Sequence, residues 1–142
     1  IYSPKLIASL KREKPFQIDI FKNFSKEIII YSVVAVASVC AIIYPLLHVV
    51  EKTELFLSIS VFFVMVITRF IFNISLIYHF KLYVAKKDKV IMTSTLVAVL
   101  FNISLNFILI PLYGLIGGAL ATLISIFVMM SFKLFYAKKY EH

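Results

Sequence analysis

Arg69 is the residue of this sequence that is best placed to bind a ligand. It lies in an apolar segment, residues 55–78, with Thr68 beside it and Asn73 one helical turn further on. An arginine inside a membrane span costs at least about 2.5 to 3.5 kcal/mol, so it normally faces protein or a watery cavity. Its guanidinium suits phosphate groups, which it can hold through two parallel hydrogen bonds. We therefore expect anion binding at Arg69, with Asn73 as a hydrogen-bonding neighbour. The alternative is that Arg69 snorkels to the interface or satisfies backbone carbonyls.

Two asparagines form a second polar pair inside an apolar segment. Asn102 and Asn106 are four residues apart, which puts them on the same face of a helix. In lipid, such amides hydrogen-bond to neighbouring helices, and each bond contributes about 0.6 to 2 kcal/mol. The pair therefore has two interpretations, helix packing and contact with a substrate.

The acidic residues, histidines and cysteine do not form a catalytic or metal-binding set. All seven Asp and Glu residues lie in loops or at the edges of apolar segments, so no carboxylate pair is placed for acid/base chemistry within a membrane. His48, His79 and His142 lack the spacing of a metal site. Cys40 is the only cysteine, which excludes a disulfide within the chain. We expect no catalytic residues, no metal, no cofactor and no enzymatic activity.

The elements that position Arg69 and the asparagines are predicted to be membrane spans. The sequence is 62% hydrophobic and 15% charged, with a mean hydropathy of +0.99, which lies outside the range of soluble domains. Several stretches without a charged residue are about 20 residues long, which is the length of a helix that crosses the roughly 30 Å hydrocarbon core of a bilayer. We predict an all-α membrane protein with four transmembrane helices at residues 28–50, 55–78, 90–112 and 114–136.

The basic residues bracket the apolar segments and predict the topology. The net charge is +8, but the basic residues do not form one patch with exposed aromatics, so nucleic acid is not an expected partner. The segments that connect the spans alternate between ones rich in Lys and Arg and ones with almost none. The fourth span ends in Lys133, Lys138 and Lys139. The positive-inside rule then places both ends of the chain in the cytoplasm. We expect a multi-pass protein of the cytoplasmic membrane, in contact with membrane lipids.

The first part of the chain is expected to be a connector. Residues 1–27 are interpreted as the end of a preceding span followed by a basic cytoplasmic loop, and residues 28–142 as one four-helix unit of a longer protein. Residues 17–27 have the amphipathic pattern of a helix on the membrane surface, or of a solvated lead-in to the next span. Pro45 removes one backbone hydrogen bond and predicts a kink in the first span.

An uncharged turn between the last two spans carries the most specific pattern in the chain. Residues 110–114 read Ile-Pro-Leu-Tyr-Gly, and residues 117–122 read Gly-Gly-Ala-Leu-Ala-Thr. Pro111 can end one helix, and Gly114 can adopt a positive φ in a tight turn. Gly117, Gly118 and Ala121 provide the small surface that lets two helices approach closely.

This string resembles the C-terminal region of the polysaccharide-biosynthesis and O-antigen flippases of the multidrug/oligosaccharidyl-lipid/polysaccharide (MOP) exporter superfamily. The similarity is specific over residues 102–122 and elsewhere concerns hydropathy and the order of spans. This chain has two glycines and an alanine at residues 117–119, where the family commonly has Gly-Ala-Ala. The resemblance implies that the four helices form part of the C-terminal lobe of a two-lobe, MATE-like transporter with twelve spans.

The resemblance implies transport of a polyprenyl-pyrophosphate-linked oligosaccharide, such as an O-antigen unit, by alternating access between two lobes. Other spans of the same longer chain would complete the cavity. The candidate cargo contacts are Arg69, Asn73, Asn102 and Asn106. The residues expected to act in turns and packing are Pro45, Pro111, Gly114, Gly117, Gly118 and Ala121.

Other functions remain open from the sequence. A multidrug or organic-cation exporter of the same superfamily would benefit from a carboxylate inside a span. The charged residue inside a span of this sequence is Arg69, which is positive. A membrane-embedded polymerase, ligase or glycosyltransferase would be expected to carry catalytic residues on large external loops, and the outer loops here are very short. A structural membrane subunit of polysaccharide assembly would not need Arg69.

Overall fold

The computed structural model describes residues 14–50 and 59–139, which form four long α-helices. They are α1 (Lys14–Val50), α2 (Ile59–Val84), α3 (Asp88–Tyr113) and α4 (Leu115–Lys139). Each contains a stretch that is long and apolar enough to cross a membrane. The prediction of an all-α, multi-pass architecture with four candidate spans is thereby confirmed. The predicted end of a preceding span, the interval between the first two predicted spans and the first residues of the second predicted span lie outside the described residues.

The helices extend beyond the predicted spans. α1 begins at Lys14, so residues 17–27 continue into the first apolar stretch as one helix, which agrees with the lead-in interpretation. This helix also continues through Pro45. α2 runs on past Tyr78 to Val84 and includes His79. The predicted spans end where the apolar stretches end, but a helix can continue its backbone hydrogen bonds into the polar interface.

Two tight turns connect the last three helices. At the end of α2, the backbone N–H groups of Lys86 and Lys87 donate to the carbonyls of Tyr83 and Leu82 at 2.9 Å. Between α3 and α4, Gly114 has φ +61° and ψ −137°, and its N–H donates to the Ile110 carbonyl at 2.8 Å. The expected positive φ at Gly114 is therefore observed, in a region that essentially only glycine occupies.

α4 makes the two most extensive helix–helix contacts of the described residues, one with α3 and one with α2. Both turns reverse the chain, so α4 runs antiparallel to α3 and parallel to α2. One face of α4 is buried at every fourth residue, and this buried stripe consists of Gly117, Ala121, Ser125, Met129, Lys133 and Ala137. Small residues allow helix backbones to approach closely in a membrane protein. At Gly117 the approach is so close that a Cβ would overlap the Leu109 carbonyl oxygen.

The exposed lysines gather at one end of the bundle. The rings of Phe24 and Phe80 pack edge to face with centroids 4.9 Å apart, which places the first part of α1 beside the last part of α2. The starts of α1 and α3 and the ends of α2 and α4 therefore lie together. We call this the basic end, and its exposed lysines include Lys22, Lys26, Lys86, Lys89, Lys138 and Lys139. The uncharged Gly114 turn lies at the opposite end.

Candidate functional site

Arg69 lines a groove between α1 and α2. The groove has a volume of about 250 Å³. Its α2 wall is made by residues spaced three or four positions apart, so they lie on one face of the helix. The residues that form this face are Phe62, Met65, Val66, Arg69, Phe70 and Asn73. The α1 wall consists of Ser32, Ala35, Val36 and Val39.

The Arg69 guanidinium is available to a ligand. Its side chain is exposed, and Cζ lies 5.2 Å from the centroid of the Phe72 ring. This cation–π contact positions the group at a gain of about 0.5 to 1 kcal/mol. Within the described part of the chain Arg69 makes no hydrogen bond or ion pair, so its five N–H donors are open. Arg69 therefore faces the groove and not the interior of the four-helix bundle.

Two further polar side chains lie in the same groove. Asn73 is half-buried on α2, and Ser32 is buried on the α1 wall, at 4% exposure. The remaining wall is formed by aliphatic, aromatic and methionine side chains. A single cation, an amide and a hydroxyl on an otherwise apolar surface suit a ligand with an anionic, hydroxyl-bearing head and an apolar tail.

Asn102 and Asn106 belong to a different polar network. Asn106 Nδ2 donates to Asn102 Oδ1 at 2.9 Å, and Asn102 Nδ2 donates to Thr122 Oγ1 at 3.4 Å. Thr122 in turn donates to the Gly118 carbonyl of its own helix at 2.9 Å. The network joins α3 to α4, which favours the packing interpretation of the two asparagines. Neither asparagine lines the Arg69 groove.

The predicted turn and packing residues occupy several environments. Pro45 is exposed on α1, outside the Arg69 groove. Pro111 lies inside the last turn of α3 and, with Asn106, lines a shallow groove on the outer face of that helix. Gly117 is buried against Leu109, Gly118 is half-buried near Asn106, and Ala121 is completely buried.

Lys133 is a charged residue whose burial is not evident from the sequence. The sequence places it with Lys138 and Lys139 at the end of the fourth span, but only 3% of Lys133 is exposed, whereas those two lysines are exposed. The physical reason is helical spacing: Lys133 falls on the buried stripe of α4, four residues after Met129, and the other two lysines fall on outer faces. The period-four series of small residues that begins at Gly117 was the signal that would have identified it.

The neighbours of Lys133 on α2 are polar. His79 lies within electrostatic range of both Lys133 and Asp88. One turn before His79, Ser75 is buried at 1% exposure, and its Oγ has no hydrogen-bond partner among the described residues. In the described ranges no group of three or more His, Cys, Asp and Glu side chains is arranged to hold a metal ion.

No family model matches this chain, and neither a curated protein nor a solved structure is significantly similar to it. A functional proposal therefore rests on the chemistry of the Arg69 groove and on the polar groups inside the bundle.

Proposed function

We propose that this chain is part of a flippase that moves a polyprenyl-pyrophosphate-linked oligosaccharide across the cytoplasmic membrane. The observation that carries the proposal is the exposed Arg69 guanidinium in the middle of a helix long and apolar enough to span a bilayer. A cation at that position, with open donors and no partner charge in the described residues, is costly unless it faces a polar cavity or an anionic ligand. The resemblance of residues 102–122 to polysaccharide flippases supports the same function.

The groove fits the chemistry of such a cargo. A pyrophosphate presents several anionic oxygens, and a guanidinium can bind two of them at once. Asn73 and Ser32 supply a hydrogen-bonding amide and hydroxyl for the adjoining sugar. Phe62 and Met65 offer an apolar wall, along which the lipid chain passes into the surrounding hydrocarbon.

The groove is smaller than an oligosaccharide, so it serves only the pyrophosphate region and the first sugar. Spans outside this chain supply the rest of the cavity and the second lobe. Within this lobe, the close contact of Gly117 with Leu109 makes α3 and α4 a stiff pair. Alternating access then consists of movement of whole helical units around the binding groove. The basic end faces the cytoplasm, because lysines are retained on that side.

The proposal is tested by reconstituting the full-length protein in proteoliposomes with a fluorescent polyprenyl-pyrophosphate-linked oligosaccharide. We expect the labelled lipid to become accessible to a membrane-impermeant quencher from both sides, faster than in protein-free vesicles. Movement of an organic-cation dye without movement of the lipid would instead indicate the multidrug exporter. No movement of either by folded protein would favour a structural subunit.

A further inference from the structure

A furrow on the outer face of α4 leads from the middle of that helix to the basic end. It has a volume of about 710 Å³ and runs from Phe127 to Lys138 and Lys139. The residues that line it are spaced three and four positions apart, so they form one face of α4. The buried stripe of α4 lies on the opposite face, which leaves the furrow open to the surroundings of the bundle.

The length of the furrow matches one leaflet of a bilayer. Phe127 is the middle residue of α4 and lies twelve residues before Lys139, which corresponds to about 18 Å along the helix axis. Half of a hydrocarbon core of about 30 Å is about 15 Å. When α4 crosses the bilayer, the apolar part of the furrow therefore lies at the depth of the acyl chains, and its lysines lie at the level of the headgroups.

The walls of the furrow are large apolar side chains. Phe127 and Phe135 are 55% and 66% exposed, and Met130 and Leu134 lie between them. Phe135 also packs edge to face against Tyr136, with ring centroids 5.5 Å apart. Membrane helices approach one another closely through small residues, and the small residues of α4 lie on its buried stripe. The furrow therefore fits a flexible acyl chain better than a closely packed helix.

Lys138 and Lys139 give the furrow a cationic end. Both are exposed, and among the described residues neither makes a hydrogen bond or an ion pair. The lining residues include no acidic side chain, and Ser131 is the other polar one. The lysine stems can cover apolar surface while their ammonium groups stay at the polar boundary. Ammonium groups at that level attract negatively charged lipid headgroups.

We propose that the furrow binds a phospholipid with a negatively charged headgroup, whose phosphate contacts Lys138 and Lys139 and whose acyl chain lies against Phe127 and Phe135. A zwitterionic phospholipid fits the apolar part equally well, so the charge of the headgroup decides the preference. Each lysine contributes about fivefold to the affinity for an anionic lipid. The site lies on a different helix from the Arg69 groove, and the inference does not depend on the cargo of the proposed flippase.

The site is tested by photocrosslinking in the full-length protein, placed in nanodiscs of phosphatidylcholine. A trace of phospholipid carries a photoreactive diazirine near the end of one acyl chain and has either a phosphoglycerol or a phosphocholine headgroup. Mass spectrometry maps the crosslinked residues. We expect the phosphoglycerol tracer to label residues 127–131 about 25-fold more strongly, the product of about fivefold for each lysine. Equal labelling by the two tracers would overturn the proposal, and so would no labelling, which would show that another helix covers this face.

A double variant with Lys138→Gln and Lys139→Gln should lose the preference for the phosphoglycerol tracer. The matched control combines Lys22→Gln and Lys26→Gln, which removes two exposed lysines of the basic end on α1 and should keep the preference. Equal losses in the two double variants would mean that the whole basic end attracts the lipid, without a site at the furrow.

A competition measurement in the wild type does not depend on how the variants fold. Replacing part of the host lipid with unlabelled phosphatidylglycerol should suppress labelling of residues 127–131 by the phosphoglycerol tracer, because one site is being filled. Labelling that stays unchanged would contradict a specific site.

Discussion

The side-chain amide of Asn102 donates a hydrogen bond to the hydroxyl of Thr122 at 3.4 Å and so joins α3 to α4 across the Gly114 turn. Asn106 extends this link on α3, and the Gly118 carbonyl extends it on α4. The most specific string in the sequence therefore builds one interhelical contact. Its polar residues make the hydrogen bonds, and its small residues allow the helices to come close enough for them.

The energy of this contact is measurable by a double-mutant cycle with Asn102→Ala and Thr122→Val. We expect a coupling energy of about 0.6 kcal/mol, the average for interhelical hydrogen bonds in a membrane protein. Reversible unfolding in mixed micelles measures it. Ser104→Ala is the control, because Ser104 is exposed and bonds only within α3, to the Leu100 carbonyl. Strictly additive effects of the two substitutions would show that the contact contributes nothing.

The glycines of α4 should differ sharply in their tolerance of a methyl group. Gly117→Ala should lower the free energy of unfolding by about 1 to 3 kcal/mol, the cost of overpacking, because the new Cβ meets the rigid Leu109 backbone. Gly118→Ala should be tolerated, because its Cβ would lie at an ordinary 3.6 Å from Asn106 Oδ1. Chemical denaturation of the two variants side by side tests the difference. Similar losses in both would mean that the close approach is not at Gly117.

Buried serines should also respond differently to substitution. Ser75→Ala removes a hydroxyl that has no partner in the described structure, so the variant should be at least as stable as the wild type. Ser94→Ala removes a bond of 2.8 Å to the Ile91 carbonyl and should cost about 0.5 to 1 kcal/mol. Both residues are at most 1% exposed, which makes the pair well matched. A greater loss for Ser75→Ala than for Ser94→Ala would reveal a partner for Ser75 in the membrane.

The orientation of the bundle is tested by cysteine labelling in a Cys40→Ser background. Lys89→Cys at the basic end should resist a membrane-impermeant maleimide in intact cells and react after permeabilisation. Leu112→Cys, which is 67% exposed beside the Gly114 turn, should react in intact cells. This pattern follows from retention of lysines on the cytoplasmic side. Labelling of Lys89→Cys in intact cells would reverse the topology.

Features that depend on one helix or one turn could be predicted from the sequence. The four candidate spans follow from apolar windows of bilayer length, and the face that carries Arg69 and Asn73 follows from helical spacing. The positive φ of Gly114 follows from its place in a short turn after a proline. In each case the deciding information lies within a short stretch of residues.

Features that depend on how different helices meet could not be predicted. Hydropathy treats Arg69 and Lys133 alike, as charges in or near a span, but packing exposes the first and buries the second. The difference arises because Lys133 lies on the face of α4 that packs into the bundle, whereas Arg69 lies on the face of α2 that lines the groove with α1. Likewise, nothing in the spacing of Asn102 indicates that it lies away from the Arg69 groove.

The most direct test of the proposed function is the export of surface polysaccharide by cells that carry Arg69→Ala as their only copy of the protein. We predict that export is lost while protein level and membrane insertion stay normal, and that Arg69→Lys, which keeps the charge but not the paired donors, exports at an intermediate level. Ile67→Ala is the control, since this exposed residue of α2 lies outside the groove, and it should export normally. Full export by Arg69→Ala would contradict the account.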